Sequence, residues 1–389
     1  MTNKWTRRLQ KTLTALLLMH FVVEVTGHHY LYNTLKMTIF KGQLGPGIQE
    51  FNEMPNRQIP AFYPDPWVES ANYGSTRLSQ EALEYHKNNE SVSFVVIHRD
   101  SLLHEQYWDG FHEKSKSNSF SMAKSIVSLL VGIAIDEGKL ESVDKPVYFY
   151  LPQYRDGEGE KLTIEHLLTM SSGIDFDEHY LNPFAFPARA NYGDDLEFLL
   201  TNYKVTEEPG VYYEYKSGNT QILAMLVSGS MRRPLAHLAG EYVWGKIGAE
   251  HFALWSLDHE DGMEKAFCCI NATARDFARI GKLYKDHGQW NGEQIVDSAY
   301  VAASIQPSGT LNKDGSLNTT YGYQWWMGDH KGLDFFFMRG IKGQYVLVVP
   351  EKDLIVVRMG RKRDNGTYER PHPDDVYNYL DMGLRMISE

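Results

Sequence analysis

Two strand-like hairpins stand near opposite ends of the main part of this 389-residue chain, with helical patterning between them, and that arrangement constrains the fold more than any other feature. Ser93 to His98 (SFVVIH) and Leu102 to Trp108 (LLHEQYW) are short runs rich in β-formers, separated by Arg99-Asp100-Ser101. Tyr345 to Val349 (YVLVV) and Leu354 to Arg358 (LIVVR) flank Pro350-Glu351-Lys352-Asp353, whose proline and acidic residues suit a turn. Between the hairpins, apolar residues recur at helical spacing over 121–137, 163–170, 194–202, 218–230, 234–246 and 273–287. Strands at both ends predict one antiparallel sheet, and an apolar sheet face must be covered, here by those helices and a C-terminal helix over 374–386. The expected class is α+β: an antiparallel sheet built from N- and C-terminal strands, flanked by helices, with an inserted, mostly helical lobe. The chain has no strand–helix alternation, no internal repeat and no glycine-rich dinucleotide or P-loop pattern, so a doubly wound nucleotide-binding fold loses support.

Residues 1–27 begin with Lys4, Arg7, Arg8 and Lys11 and continue into an apolar stretch from Leu13 to Val25, interrupted by His20 and Glu24. At 1.5 Å per residue that stretch spans about 20 Å, short of the roughly 30 Å of a bilayer core, so the segment reads as a signal peptide or short membrane anchor. Export to a periplasmic or outward-facing, membrane-anchored location follows as an expectation. Residues 28–90, punctuated by Gly45-Pro46-Gly47, Pro55, Pro60, Pro64 and Pro66, read as an extended lead-in, and 91–389 as the catalytic unit.

The net charge of −11 and the lack of a basic run disfavour nucleic acid as a partner. Cys268 and Cys269 are adjacent and predict no disulfide framework, only packing. His104-Glu105 and His259-Glu260 each lack the second histidine of a zinc motif.

The chemistry begins at Ser121-Met122-Ala123-Lys124. Residues i and i+3 share a helix face, so Lys124 can reach the Ser121 hydroxyl. Ser142-Val143-Asp144-Lys145 has the same spacing, but Pro146 disfavours helix at Lys145. The apolar run Ile126 to Ile135 predicts a buried helix behind Ser121, whose N-terminal N–H groups can hold an oxyanion, while desolvation would lower the Lys124 pKa. The plainer reading, in which Ser121 caps the helix and Lys124 reaches solvent, is equally consistent with this segment alone.

Phe120-Ser121-Met122-Ala123-Lys124-Ser125 resembles the nucleophile motif of the serine β-lactamase and penicillin-binding superfamily, in particular its class C β-lactamase-related esterases and amidases. The run Leu162 to Ile174 (LTIEHLLTMSSGI) and the run Thr273 to Gly281 (TARDFARIG) are similar to further family segments in the same order. Lid-like residues Gly173 to Pro183, Tyr215-Lys216-Ser217 and Gly340-x-x-Gly343-Gln344 most resemble the 6-aminohexanoate-dimer hydrolase group. The resemblance implies Ser121 as nucleophile, Lys124 and Tyr215 as proton-transfer groups, an oxyanion hole from the backbone N–H groups of Ser121 and Ile341, and substrate contacts from Tyr180, Ser217, Arg339 and Gly340. Tyr212 and Tyr213 are alternatives to Tyr215, which the helix from Gly218 favours by its distance. Ten aromatics between Phe176 and Tyr215 suit a pocket wall and mobile lid.

The chain departs from the family at two points. Ser217 replaces an asparagine, and Met338-Arg339-Gly340 stands on the expected edge strand where a lysine or histidine opens the third motif, leaving Arg339 or Lys342 as the substitute cation. That change weakens a β-lactamase or D-Ala-D-Ala peptidase reading. The expected activity is cleavage of a small ester or amide through an acyl-enzyme on Ser121, with no metal or organic cofactor required. The alternative is a non-catalytic envelope binding protein of the same fold.

Overall fold

The computed structural model describes residues 4–43, 45–364 and 370–388. The N-terminal part holds α1 (Lys4–Val25), α2 (Tyr30–Met37), the strands β1 (Asn56–Ile59) and β2 (Val68–Glu69), and α3 (Gln80–Asn88). The expected extended lead-in is therefore corrected: Tyr30 and Met37 are buried, and β1 pairs antiparallel with Ala253–Ser256. The prolines punctuate this region without keeping it off the body. Ser79 caps α3 by accepting from the Ala82 N–H, and Leu78 and Ala82 join a core under the main sheet.

After the hairpin β3 (Ser91–His98) and β4 (Ser101–Tyr107) and the short β5 (Ser117–Asn118), the chain becomes helical. It runs through α4 (Ala123–Asp136), α5 (Ile164–Leu168), α6 (Phe186–Tyr192), α7 (Leu196–Thr201), α8 (Ser217–Met231) and α9 (Leu235–Leu238). The strands β6 (Ala253–Ser256) and β7 (Ile270–Ala272), helix α10 (Ala274–Lys285), a ribbon of β8 (Gln289–Trp290) and β9 (Glu293–Gln294), and α11 (Ser298–Ser304) follow. A meander of β10 (Trp326–His330), β11 (Leu333–Gly340), β12 (Gln344–Val349) and β13 (Leu354–Gly360) leads to α12 (Asp374–Met386).

The main sheet has the order β10-β11-β12-β13-β3-β4-β2, antiparallel except for β2 beside β4. β13 pairs with β3, which joins the two ends of the chain as the hairpins predicted. Alternation along β12 sends Val346 and Val348 to one core, with α4 and α10, and Leu347 and Val349 to the other, with α12. Twelve of the 14 residues of α4 are buried, each large apolar one contributing about 1.5–3 kcal/mol. A second sheet, β1-β6-β7-β5, ties the lead-in to the helical lobe.

Two details shape the site. Helical structure over 121–137 opens with a 3-10 turn at Phe120–Met122, and the α-helix starts only at Ala123. β11 is not an edge strand along its length, because β10 pairs with it as far as Trp326 opposite Phe337. Beyond that point Met338 to Gly340 form a free edge.

Candidate active site

Ser121 sits on a strained turn. Phe120 has φ 43°, unusual for a bulky residue, and its N–H donates to the Asn118 side chain at 2.8 Å. The turn delivers Ser121 to the end of α4, one helical turn from Lys124. Lys124 is 1% exposed, and its Nζ donates to Ser121 Oγ at 3.0 Å and to the Phe267 carbonyl at 2.8 Å. Desolvation pushes the Lys124 pKa down to about 7, opposed by the carboxylate of Glu178. An amine so placed is neutral in a large fraction near neutral pH and can accept a proton. The plainer reading of a solvent-reaching Lys124 is excluded by this burial. The control pair behaves otherwise: Lys145 binds Glu141 at 2.6 Å and lies over the Phe149 ring.

Tyr215 precedes α8, its ring centroid 5.1 Å from Lys124 Nζ and its phenol near the Ser121 side chain. Burial pushes the phenol well above its ordinary pKa, so it stays protonated and serves as a donor. Of the alternatives, Tyr212 lies beside Lys313 and the Tyr213 hydroxyl is buried with no partner among the described residues.

The cavity beside Ser121 holds about 40 Å3 and is lined by Phe120, Tyr180, Ser217, Phe267, Cys268 and Ile341, with Pro46 and two other residues completing the wall. Ile341 opens a 3-10 turn directly after the free edge of β11, which brings its backbone to the same cavity as Ser121. Gly340 and Gly343 both stand where the chain packs closely. A Cβ on Gly340 would lie 2.3 Å from the Ser119 carbonyl, and one on Gly343, at φ 79°, 2.4 Å from the Arg358 guanidinium. At both positions the missing Cβ admits another part of the protein.

Tyr180 is half exposed (51%) and donates to Glu178 at 3.0 Å, while the other Glu178 oxygen accepts from the Ser217 N–H at 2.9 Å. The Ser217 and Tyr180 side chains line the same cavity. Glu178 is thus a site residue that sequence reasoning passed over: it connects the lid loop to the start of α8 across 39 positions, a spacing that carries no local signal. Of the lid aromatics, Phe176, Phe186 and Tyr203 pack on one another as core.

The two candidate cations separate. The Arg339 side chain stacks on Trp326 at 4.9 Å, its charge acts on Tyr215, and it makes no ion pair or hydrogen bond with another described side chain. Lys342, at φ 63°, faces a different hollow that holds Glu50 and Glu90. Met338 is fully buried.

The cysteine expectation is corrected: Cys268 and Cys269 are joined in a disulfide. The bond between neighbours is accommodated by a left-handed backbone at Cys269, φ 72°. Among the described residues no cluster of His, Cys, Asp and Glu has the makings of a metal site.

Residues 77–378 match the family described as Beta-lactamase. A 6-aminohexanoate-dimer hydrolase of Paenarthrobacter ureafaciens is 26% identical over 296 residues, covering 71% of this chain and 74% of the relative. A solved structure from Bacillus anthracis, provisionally named a 6-aminohexanoate-dimer hydrolase, superposes with a TM-score of 0.73 at 20% identity, covering 87% of this chain and 92% of its own. A family VIII carboxylesterase gives a TM-score of 0.64 at 15% identity over 82% of this chain and 99% of its own.

Proposed function

The chain belongs to the beta-lactamase family, and from that premise we propose that it is a serine hydrolase that cleaves a small ester or amide by way of an acyl-enzyme on Ser121. The observation that carries the reading is the buried Lys124 amine, 3.0 Å from Ser121 Oγ and held neutral in large part by desolvation. The neutral amine takes the hydroxyl proton as Oγ bonds to the substrate carbonyl carbon. The charge that develops on the carbonyl oxygen rests on the N–H groups of Ser121 and Ile341. Collapse breaks the bond to the alcohol or amine leaving group, which departs with a proton from Tyr215 or from protonated Lys124. Water, giving its proton to the same base, then attacks the acyl carbon and releases the acid and free Ser121.

Tyr180 and Ser217, joined through Glu178, form the side of the cavity that meets the leaving group. Arg339, at the free edge of β11 and with no ion pair among the described residues, is the better placed of the two cations to meet an anionic substituent. The relative's activity on a 6-aminohexanoate dimer supports an ester or amide substrate of open-chain type. The test is mass spectrometry after exposure to a fluorophosphonate. A single covalent adduct on Ser121, absent in Ser121→Ala, together with hydrolysis of a nitrophenyl ester, is the expected result. A protein that neither labels nor turns over returns the chain to the non-catalytic reading.

A further inference from the structure

The cavity at Ser121, about 40 Å3, has room for only a few water molecules, whereas pockets that seat drug-sized ligands hold roughly 300–1,000 Å3. An acyl group enters only when the loop carrying Tyr180 moves. That loop exposes Leu181 (87%) and Phe184 (58%). It is also attached to the N-terminal segment: the Tyr30 hydroxyl donates to the Pro183 carbonyl at 3.0 Å, and the His28 ring stands edge-on to Phe184 at 5.5 Å. α2 therefore lies against the base of the lid, and α1 leads into it.

No residue of α1 is buried, and Leu13, Leu17, Phe21 and Val25 stand open to the surroundings; Ile39 and Phe40 continue the exposed apolar surface beyond α2. Shortly after Phe40, Pro46 becomes part of the wall of the Ser121 cavity. One stretch of chain thus runs from an unpartnered apolar helix to the reaction centre. Positive charge collects on it as well: residues 1–43 hold six lysines and arginines against a single Glu24, in a chain whose net charge is −11. Among the described residues no single helix is long and apolar enough to cross a membrane, and α1 passes that test only together with the segment after it, from which it is bent by 116°. That bend suits a helix lying in an interface.

We propose that this surface docks on a bilayer of anionic phospholipid, and that the substrate of Ser121 is a bilayer-resident ester or amide with a long acyl chain. The proposal rests on the hydrolase reading and names its substrate class. In water, opening the lid uncovers apolar surface and is opposed; among lipid tails Leu181 and Phe184 insert, and that opposition disappears. The basic N-terminal segment is drawn to anionic headgroups while the acidic body is repelled, which turns the lid toward the bilayer. Residues 1–27 remain on the protein as its anchor.

The test uses the full chain, phosphatidylcholine–phosphatidylglycerol vesicles, nitrophenyl palmitate carried in the vesicles and nitrophenyl acetate in solution. The protein is expected to float with the vesicles, less so at high salt. Leu17→Asp with Phe21→Asp, both on the open face of α1, is expected to lower turnover of the vesicle-borne ester at least about tenfold and to leave the soluble ester untouched. Leu181→Asp is expected to float as before and to lose vesicle-borne turnover by a similar factor. A wild-type protein that stays out of the vesicle fraction, or a double variant that matches it on both esters, overturns the proposal. So does a lipid-free dimer that the double variant dissolves, since a second copy then covers α1. Flotation without any turnover of nitrophenyl acetate removes the hydrolase reading instead, and the substrate assignment with it.

Discussion

Burial of the Lys124 amine has consequences for rate and stability that differ in sign. Among the described residues no carboxylate lies within 4 Å of its amine, so desolvation holds the pKa at about 7. The folded protein then binds fewer protons than the unfolded chain between about pH 7 and the ordinary lysine value near 10.4. Stability rises with pH across that window, and the full cost of burying the cation is felt below it. Replacing Lys124 by Met removes a group that burial penalises. Lys124→Met is expected to be more stable than wild type at about pH 6, the gain shrinking by up to about 1.4 kcal/mol per pH unit above about 7, as read by urea unfolding at a series of pH values. A difference that does not change with pH would sink the assignment. In the wild-type enzyme kcat/KM should climb about tenfold per unit below about pH 7 and level off above it, because the neutral amine is the base. A flat profile across that range would take the role from Lys124.

The position of β11 decides whether the nucleophile and the oxyanion donor meet. Ser119 is pinned to β7, its N–H donating to the Ile270 carbonyl at 2.7 Å and its Oγ accepting from the Ile270 N–H at 3.2 Å. A Cβ at residue 340 would meet the Ser119 carbonyl, so β11 has to yield and carries Ile341 with it. Gly340→Ala is expected to cost about 1–3 kcal/mol in stability. Steady-state kinetics on a nitrophenyl ester should show kcat reduced by a factor on the order of 10², and wild-type turnover from a stable Gly340→Ala protein would contradict this geometry. Elements with strong local signals are legible in the sequence. The β-branched runs of β3, β12 and β13 and the amphipathic α12 lie where alternation and helical spacing put them. Long-range pairing is not legible: β1 meets β6 with Asn56 opposite Ser256, and no pattern within the proline-rich lead-in reports a partner two hundred residues away. Within the site, Ser121, Lys124 and Tyr215 are brought together as their motifs implied. Glu178 and the Cys268–Cys269 bond depend on loop conformation, which spacing does not encode.

At the scale of the molecule, the sheet side and the helical lobe have to hold register to within a fraction of an ångström for Ser121 and Tyr215 to stay in contact, and one buried side chain joins the parts. Gln324, 2% exposed and at φ 64°, donates from Nε2 to the carbonyls of Leu167 and Leu168 at 3.0 and 2.9 Å in and beside α5. Its Oε1 accepts from the Thr220 hydroxyl of α8 at 2.7 Å, and its backbone carbonyl accepts from Ser125 of α4 at 2.7 Å. Helices α4, α5 and α8 therefore converge on one residue just before β10. Gln324→Leu keeps the backbone contacts and the approximate volume, but leaves the Thr220 hydroxyl buried without its partner and takes one hydrogen bond each from the Leu167 and Leu168 carbonyls, which keep backbone N–H donors. An orphaned buried group costs about 1–3 kcal/mol before relaxation, so a net loss of about 1–3 kcal/mol is expected, with the denaturant m-value unchanged. Thr220→Val removes that orphan in advance. In that background the Gln324→Leu change should cost about 1 kcal/mol less than it does alone, a coupling that a purely local packing defect at residue 324 would not produce. Strict additivity of the two substitutions would mean that the lobe is held to the sheet by its apolar contacts and not through this amide.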